Sequence, residues 1–594
     1  MANWYVAAKK ADFNRIGEKF HISPVLARII RNRDIITEEE IKIFLHGTIQ
    51  NLYSPFLLKD MDKAVEIIRE KVKNGKKIRI IGDYDIDGVC SAYILEKGLK
   101  ASGAFVDTVI PHRIKDGYGL NNELIREAKA EEVDTIITCD NGIAAMEQIA
   151  LGRELGMTIV VTDHHEVPYE EVFGEKRYLL PKADAVIDPK QEECTYPYKG
   201  ICGAVVAYKF IQAFYGFEAL DFSVKSNRME ILQELFPFAA FATIGDVMEL
   251  TGENRIFVKY GLLSMEKTEN PGLKALILAN GLFGSRLTPY HVGFVLGPCI
   301  NATGRLDTAA RALQLFRSED EKEAAVLAGD LKALNDSRKD LTAKGMQEAV
   351  ELVENTGLKE DHVLVVYLPE CHESLAGIIA GRLREKYGKP VFVLTKGEEE
   401  VKGSGRSIDA FHMYDNMTKV KDLFLKYGGH KLAAGLSIKE ERVEEFRKRI
   451  NQVSCLTEKD FEETLHIDVP MPIAYSTMEF VKELEKLEPY GVGNKKPLFA
   501  EKNISFLRGR ILGKTGNVLK CLVADERGYQ IEAVYFGDIK KMLLEFEEQF
   551  GSSQVELFLQ GQKNRIKAAI AYYPDMNEFR GQKSLQLVIT NYSF

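Results

Sequence analysis

Three aspartates at alternate positions, Asp83, Asp85 and Asp87, follow the β-branched run 78–81 and precede Gly88. Carboxylates this close in sequence repel one another strongly unless something neutralises them. Divalent cations do so, and hard oxygen ligands suit Mg2+ or Mn2+. Taken alone, an Asp-X-Asp is more often a solvated acidic turn than a metal site, but here the arrangement recurs. The apolar run 135–138 ends in Cys139-Asp140-Asn141-Gly142, and the run 158–162 ends in Asp163-His164-His165. The run 185–187 ends in Asp188-Pro189, and the run 105–110 ends in Pro111-His112-Arg113, followed by Asp116-Gly117-Tyr118-Gly119. Asp246, after Ala242-Thr243-Ile244-Gly245, reads by itself as a helix cap or turn residue. Beside the other acidic groups it becomes a further candidate ligand.

These residues need a scaffold that brings them to one place. Between 78 and about 250, short apolar strands alternate with helical stretches, the pattern of an α/β domain with a mainly parallel sheet. Ligands of open α/β sheets bind beyond the carboxyl ends of the strands, which is where each acidic or histidine group falls. The preceding residues, 1–75, read as helical, with Ser23-Pro24 and Thr37-Glu38-Glu39-Glu40 as helix starts and a role in packing or docking. Residues 306–356, rich in Ala, Leu, Lys and Glu and free of proline, read as one long connecting helix.

The pattern returns to α/β over 361–455, with strands at 362–367 and 390–394 and a helix at 375–387. Gly403-Ser404-Gly405-Arg406-Ser407 reads as a small-residue turn whose amides and guanidinium suit phosphate. Its competing reading is a plain hairpin turn. His430 follows Gly428-Gly429, where backbone can approach a ligand closely; a core histidine is the alternative. Residues 487–494 read as a linker or ordered turn. Beyond them, strands at 504–511, 518–524, 531–536, 555–560 and 585–589, with a helix at 539–550, match an OB-like barrel, a common single-strand binder. Residues 501–594 hold 13 Lys and Arg against 11 Asp and Glu, a local excess too small to establish a polyanion surface. Tyr535, Tyr572, Tyr573 and Phe579 have the chemistry to stack on bases, although aromatics in a small barrel more often fill its core.

At 594 residues the chain has room for three or four domains. Its net charge of −9 gives no global pull toward nucleic acid, so a polyanion site must be a local basic patch. The eight cysteines include no Cys-X-X-Cys pair, which argues against a zinc ribbon or a disulfide framework and for a reducing, cytosolic setting. The first twelve residues lack an apolar core of signal-peptide length, and no apolar run is long enough to span a bilayer; a soluble, intracellular protein is expected.

Asp-Tyr-Asp-X-Asp-Gly, Asp-Asn-Gly, Thr-Asp-His-His and Ile-Gly-Asp, in this order at 83–88, 140–142, 162–165 and 244–246, resemble the DHH phosphoesterase superfamily. Pro-Cys-Ile-Asn-Ala-Thr-Gly-Arg-Leu at 298–306, together with the segments 403–407 and 428–435, narrows the resemblance to the RecJ single-strand exonucleases. The resemblance covers nearly the whole chain. It implies two α/β lobes (DHH and DHHA1) joined by a long helix, plus a C-terminal OB-like β-barrel. The expected domains are a helical segment over 1–75, the DHH domain over 76–305, the connecting helix over 306–356 and the DHHA1 domain over 357–460. A linker over 461–494 and the OB-like domain over 495–594 complete the series.

The implied reaction is two-metal hydrolysis of a phosphodiester. By the same resemblance Asp83, Asp85, Asp87, Asp140, His164 and Asp246 share the ligand work for two divalent cations, Mn2+ or Mg2+, with Asp140 as the bridge. A mixed oxygen and nitrogen set leans toward Mn2+. His165 is then placed to touch the scissile phosphate, and it stands with Asp140 as a candidate catalytic residue. Arg113, Arg305, Ser404 and Arg406 are candidates for strand-backbone and terminal-phosphate contacts, and His430 for substrate binding. One departure stands out: where the relatives commonly have Asn-Pro, this chain has Asp188-Pro189, and Asp188 is not counted as a ligand.

The implied activity is 5′→3′ digestion of single-stranded DNA in recombination and repair, by a cytoplasmic monomer. Its partners would be single-stranded DNA, a single-strand-binding protein and a helicase, with no membrane. Three other readings compete. An oligoribonuclease or nucleotide phosphatase of the superfamily would use the same ligands but is usually much shorter and lacks the OB-like end. A pyrophosphatase would need no nucleic-acid domain, and a catalytically silent single-strand scaffold would have lost acidic motifs that are all intact here.

Overall fold

The computed structural model describes residues 3–113, 116, 119–397, 400–513, 516–579 and 581–594. Gly117 and Tyr118 of the Asp-Gly-Tyr-Gly run lie outside the described residues, as does the side chain of Phe579. The chain divides into two units, residues 48–461 and residues 1–47 with 462–594.

In the larger unit, five short β-branched strands form a parallel sheet in the order Phe105–Val109, Lys77–Ile81, Thr135–Cys139, Thr158–Thr162, Ala185–Ile187. Parallel strands with helices on both faces read as near-continuous apolar runs. Accordingly Ile78, Ile80, Ile81, Ile136, Ile137, Ile159, Val160 and Val161 are all buried. Leu124, Ile125 and Ile149, from the helices Asn122–Ala130 and Met146–Glu154, share one core with Ile136 and Ile159. The helix Ile86–Lys100 is buried along nearly its whole length, as an apolar-all-round helix must be. Strand order reverses between Lys77–Ile81 and Thr135–Cys139, and at such a reversal the flanking loops part to leave a crevice. A small antiparallel hairpin, Tyr169–Val172 with Glu175–Tyr178, was not expected from the sequence.

The second sheet of this unit runs Phe424–Gly429, Ala433–Ile438, Val401–Arg406, Val391–Lys396, Leu364–Tyr367, antiparallel except for the last pair. The expected turn at 403–407 is therefore mostly strand. Its glycines serve packing between strands, since a Cβ on Gly403 would collide with Leu394 and Leu436. The expected uninterrupted helix over 306–356 is broken. Ala310–Arg317 stops at Ser318, and Asp320 then caps Glu321–Asn355 by accepting from Lys322 N (2.9 Å) and Glu323 N (2.8 Å).

In the smaller unit a ring of five strands closes. Phe499–Leu512 pairs with Val518–Ala524, which pairs with Gln530–Tyr535; that strand lies parallel to Gln582–Ser593, which pairs with Lys567–Phe579 and so back to Phe499–Leu512. The OB-like barrel is thus present, with two differences from the sequence reading. Residues 552–559 are helical (Ser552–Leu559), because Val555 and Phe558, three apart, both turn into the core. The fourth strand is Lys567–Phe579 instead. Residues 461–494, read as a linker, contribute Val469, Met471, Ile473, Phe480, Leu484 and Leu487 to the core that also takes Leu26, Ile29 and Ile30 from near the N-terminus. Asn3–Val6 is a strand, parallel to Thr464–Ile467. Tyr535 and Tyr572 are core residues, and the Tyr572 hydroxyl donates to the Met471 carbonyl (2.8 Å). Tyr573 is only partly buried, with the Lys496 ammonium 3.9 Å from its ring centre.

All eight cysteines are free thiols. Among the described residues no helix is long and apolar enough to cross a membrane.

Candidate metal centre

Backbone amides hold the carboxylates of Asp85, Asp87 and Asp163. Asp85 caps the helix Ile86–Lys100, accepting from Asp87 N (2.9 Å) and Gly88 N (3.1 Å). The two oxygens of Asp87 accept from Gly203 N and Ala204 N, both at 2.7 Å, at the start of the helix Gly203–Phe214. A helix N-terminus carries partial positive charge, which suits a buried carboxylate. Gly203 is needed there, because a Cβ would lie 2.9 Å from Asp140 Cβ. Asp140 itself takes a left-handed conformation, φ 61°. Beside it Asn141 Nδ2 donates to the carbonyls of Ile81 (3.2 Å) and Cys139 (3.0 Å), tying together the two strand ends where the order reverses.

From the next strand, His164 Nε2 lies 3.1 Å from Asp140 Oδ1, 3.4 Å from Asp87 Oδ2 and 3.8 Å from Asp246 Oδ2. Asp246 caps the C-terminus of Asn227–Gly245, as the sequence reading of a cap expected, and its carboxylate also reaches the cluster. Three groups of donor atoms gather within 4.8 Å of one another: Asp83 with Asp85 and Asp140, Asp87 with His164 and Asp246, and Asp140 with His164 and His165. Asp140 belongs to the all-oxygen group and also touches the mixed one.

Burial and mutual repulsion show in the proton affinities of the metal-free site. Burial, then the charge of Asp85, pushes Asp83 up to about 7. Burial, then Asp87 and Asp85, pushes Asp246 up to about 8. Asp140 is raised well above the carboxylate range by burial and by its acidic neighbours, Asp87 first. Asp85 is raised by burial and Asp87, and burial lowers His164. Asp163 behaves differently. Against the effect of burial, the hydrogen bond and charge of His165 hold it below the usual carboxylate value. It also accepts from Ile143 N (2.9 Å) and His164 N (2.7 Å), and its Oδ1 lies 2.7 Å from His165 Nδ1. In return, against the burial that would lower it, Asp163 pushes the His165 imidazole up to about 9. Asp163 is thus an orienting partner of His165, not a free ligand.

Divalent cations fit these residues. Asp83 Oδ1 and His164 Nδ1 are buried without a hydrogen-bond partner, and the donors are hard carboxylates with one or two imidazoles.

Next to the carboxylates lies a cavity of about 480 Å3 whose walls bring together Tyr84, Arg113, Arg305, Ser404 and Arg406. Lys402 and Lys426 add positive charge, and the one carboxylate among the described lining residues, Glu373, is 3.0 Å from the Lys402 ammonium. The Arg113 guanidinium lies 5.0 Å from the centre of the Tyr84 ring, so the residue between Asp83 and Asp85 connects the two sites. Arg305, at the end of Gly297–Leu306, donates to the Ser374 carbonyl (2.7 Å), and Arg406 donates to the Gly405 carbonyl (2.8 Å). Burial, then Arg113, Arg338 and Arg406, lowers Arg305 to about 10, and burial with Arg384 and Arg113 lowers Arg406. Buried guanidiniums crowded in this way favour an anion between them. The first turn of the helix Ala376–Tyr387 lines the same cavity, which adds amide dipoles of matching sign.

His430 is not part of this wall; it lies exposed at the turn between Phe424–Gly429 and Ala433–Ile438. Asp188 is fully buried, and burial, then Asp163, pushes it up to about 7. It belongs to none of the three donor groups, in keeping with its exclusion from the ligand set. Four contributors were missed in the sequence: Asp163, Tyr84, Lys402, and Asn301, whose Oδ1 accepts from Ile86 N (2.9 Å). Tyr84 and Asp163 stand inside motifs already singled out, so their position was a usable signal. Lys402 had none.

The sequence matches the model of the DHH family, N-terminal domain, over residues 77–242, the DHHA1 domain over 360–454 and the RecJ OB domain over 467–591. It is 32% identical over 587 residues to the single-stranded-DNA-specific exonuclease RecJ of Escherichia coli, covering 96% of each chain. It is 35% identical over 523 residues to the protein of the same name from Bacillus subtilis, covering 87% of this chain and 64% of that longer one. The crystal structure of RecJ in complex with Mn2+ from Thermus thermophilus superposes with a TM-score of 0.80 at 26% identity, covering 100% of this chain and 79% of that one. With its three domain matches, the strand-end carboxylates and a likeness that runs the length of the sequence, the chain belongs to the RecJ family of single-stranded-DNA-specific exonucleases.

Proposed function

We infer that this protein is a metal-dependent exonuclease that hydrolyses phosphodiester bonds of single-stranded DNA, working from the 5′ end, in recombination and repair. The observation that carries the reading is the contact between the acidic crevice and the arginine-lined cavity through Tyr84 and Arg113. A crevice for cations beside a cavity for an anion suits a chain end whose terminal phosphate is held while the next linkage is cut.

Asp83, Asp85 and Asp140 would hold one cation and Asp87, His164 and Asp246 the other, with Asp140 shared between them. Divalent cations bound there supply Lewis acidity toward the phosphate and a water acidified to near neutrality. His165, kept protonated at neutral pH by Asp163, donates to the scissile phosphate and steadies the charge that grows on it. Arg113, Arg305, Ser404 and Arg406 fix the terminal phosphate and so set which linkage reaches the crevice. The protein works in the cytoplasm as a monomer, on strands delivered by a helicase and a single-strand-binding protein.

The test uses strands labelled at the 5′ or the 3′ end, single or duplex, DNA or RNA, with Mn2+ or Mg2+. Immediate release of labelled mononucleotide from the 5′ end of single-stranded DNA, abolished by chelation, is expected. Metal-independent release, or equal cutting of duplex, would overturn the reading. Preference for short RNA would move the protein to the oligoribonucleases of the superfamily.

A further inference from the structure

The arginine-lined cavity is much larger than a terminal phosphate. At about 480 Å3 it has the size of a pocket for a whole small ligand. Its floor is one face of the second sheet, and the strand register sorts that face into rows. Lys402, Ser404 and Arg406 alternate along Val401–Arg406 and so share the face. Gly435 lies opposite Ser404, and Gly428 lies opposite Gly435, which makes the middle row a serine beside two bare glycines. A Cβ on Gly428 would meet nothing within 4 Å, and one on Gly435 nothing nearer than the Gly403 carbonyl at 3.9 Å. The row is an open trough. In the next row Ser437 lies opposite both Lys402 and Lys426, a hydroxyl between two ammonium groups. Four strand residues separate the Cα atoms of Lys402 and Arg406, ~13 Å.

The two ends of the trough face different things. The arginine end abuts the crevice: the Arg113 guanidinium lies on the Tyr84 ring, and Gly304, next to Arg305, packs against the Tyr84 carbonyl. At the lysine end Glu373, the one carboxylate among the described lining residues, is 3.0 Å from the Lys402 ammonium, which leaves Lys426 without one. The Tyr427 ring is engaged elsewhere, stacked on Tyr414 and packed against Phe424.

We propose that the lysine row is a second anion subsite, which holds the outer phosphates of a strand whose 5′ end carries a triphosphate. The inference rests on the exonuclease reading given above and deepens it by naming a class of strand end. A terminal monophosphate is satisfied by the arginines beside the crevice. Only a group added on its far side can run along the glycine trough to Lys402 and Lys426, and it has room because no side chain stands there. That group must be slender and anionic, since the far end presents two ammonium groups and a hydroxyl over bare backbone. Triphosphate meets both demands, and it remains wherever a polymerase starts a chain without a primer. The chemical step is the same hydrolysis. Water adds to the phosphorus between the first two nucleotides, the bond from that phosphorus to the 3′ oxygen breaks, and the 3′ oxygen takes the proton. The first nucleotide leaves with its triphosphate intact, and the shortened strand keeps a 5′ monophosphate.

The test compares oligonucleotides of one sequence that carry a 5′ triphosphate or a 5′ monophosphate, cut by the full chain with Mn2+. Wild type should release nucleoside triphosphate from the first, with kcat/KM at least equal to that for the second. The ratio of the two kcat/KM values should fall roughly tenfold in Lys402→Ala/Lys426→Ala, the scale of a lost charge-assisted hydrogen bond. Lys402→Arg/Lys426→Arg keeps both charges and should restore it. Gly428→Val, which puts methyl groups into the trough, should lower the ratio as well. Binding is read apart from cutting, by calorimetry on chelated protein. Thymidine 5′-triphosphate should bind wild type roughly tenfold more tightly than thymidine 5′-monophosphate, and the double alanine variant should bind the two alike. A ratio unmoved in the double alanine variant, triphosphate ends left uncut where monophosphate ends are cut, or equal affinity of wild type for the two nucleotides would each overturn the subsite. The parent reading fails separately, if wild-type protein cuts neither kind of end with Mn2+, and the nucleotide titration then still decides the subsite.

Discussion

The carboxylates of the metal centre and the arginines of the neighbouring cavity are both clusters of like charge, assembled in opposite ways. The carboxylates sit on short side chains at the ends of successive elements of one lobe, and Asp85, Asp87 and Asp163 are locked by backbone amides. The arginines come from a loop after one strand, the end of a helix and a strand of a different sheet. Each arrives on a long side chain: tertiary contacts hold Arg113 on Tyr84 and Arg305 on the Ser374 carbonyl, and the carbonyl of its neighbour Gly405 holds Arg406. On the proposed function the first cluster would do the chemistry and the second would grip the strand, so damage to the first should appear in turnover and damage to the second in affinity.

The largest effect belongs to Asp140. Asp140→Ala should reduce hydrolysis by far more than the roughly 100-fold that loss of a ligand's outer hydrogen-bond partner brings, because one carboxylate serves both donor groups. The fold should survive, and the metal-free protein should melt no lower than wild type, since a buried like charge has gone. Turnover close to normal in Mn2+ would remove Asp140 from the bridging position.

Next come the two histidines. His165→Ala should lower kcat by roughly two orders of magnitude, the scale of one lost charge-stabilising donor, with Mn2+ affinity near wild type. His164→Ala should weaken both. Equal loss of Mn2+ binding in the two variants, measured calorimetrically, would show that His165 is a ligand.

On the cavity side, Arg406→Ala should raise KM for strands carrying a 5′ phosphate by roughly tenfold, as expected for one charge-assisted hydrogen bond, and leave kcat almost untouched. The slope of log affinity against log salt should shrink by about 0.7, one phosphate contact on a single strand. If kcat falls and KM does not, the division of labour between the two clusters is wrong.

The smallest effect concerns stability and pH in the metal-free protein. Asp83 and Asp246 have folded values of about 7 and about 8, above those of free carboxylates. Between pH 4 and 8 the folded state consequently binds more protons than the unfolded chain, and stability falls as pH rises through that window. The His165–Asp163 pair adds a loss on the same side. His165 is raised to about 9, so its contribution is complete below an ordinary histidine value and disappears as pH climbs through about 9. Melting temperatures of chelated protein should drop by a few degrees from pH 5 to pH 8, and saturating Mn2+ should remove most of that drop. A flat profile without metal would mean that the carboxylates do not share one buried crevice.

The alternation of apolar runs with helical stretches, and an acidic or histidine residue after each run, determined the parallel sheet and the candidates at its strand ends; the full ligand set, with Asp246 after a helix, came with the family resemblance. That legibility has a physical cause. Strand ends of one parallel sheet lie on one side, so ligands spaced along the sequence by whole strand–helix units converge without further information. The motifs also named Arg113, Arg305, Ser404 and Arg406, but not that they share a wall with Lys402 and Glu373, because that depends on how the second sheet packs beside the first. Tertiary context decided the rest. Val555 to Leu559 has the composition of a strand, yet it folds as a helix to bury Val555 and Phe558. Residues 461–494 resemble a linker until the N-terminal helices supply the core partners for their apolar positions. Local pattern dictated which residues would end each strand, whereas the neighbours of a long side chain, and the partners of a short apolar segment, existed only once the chain had packed.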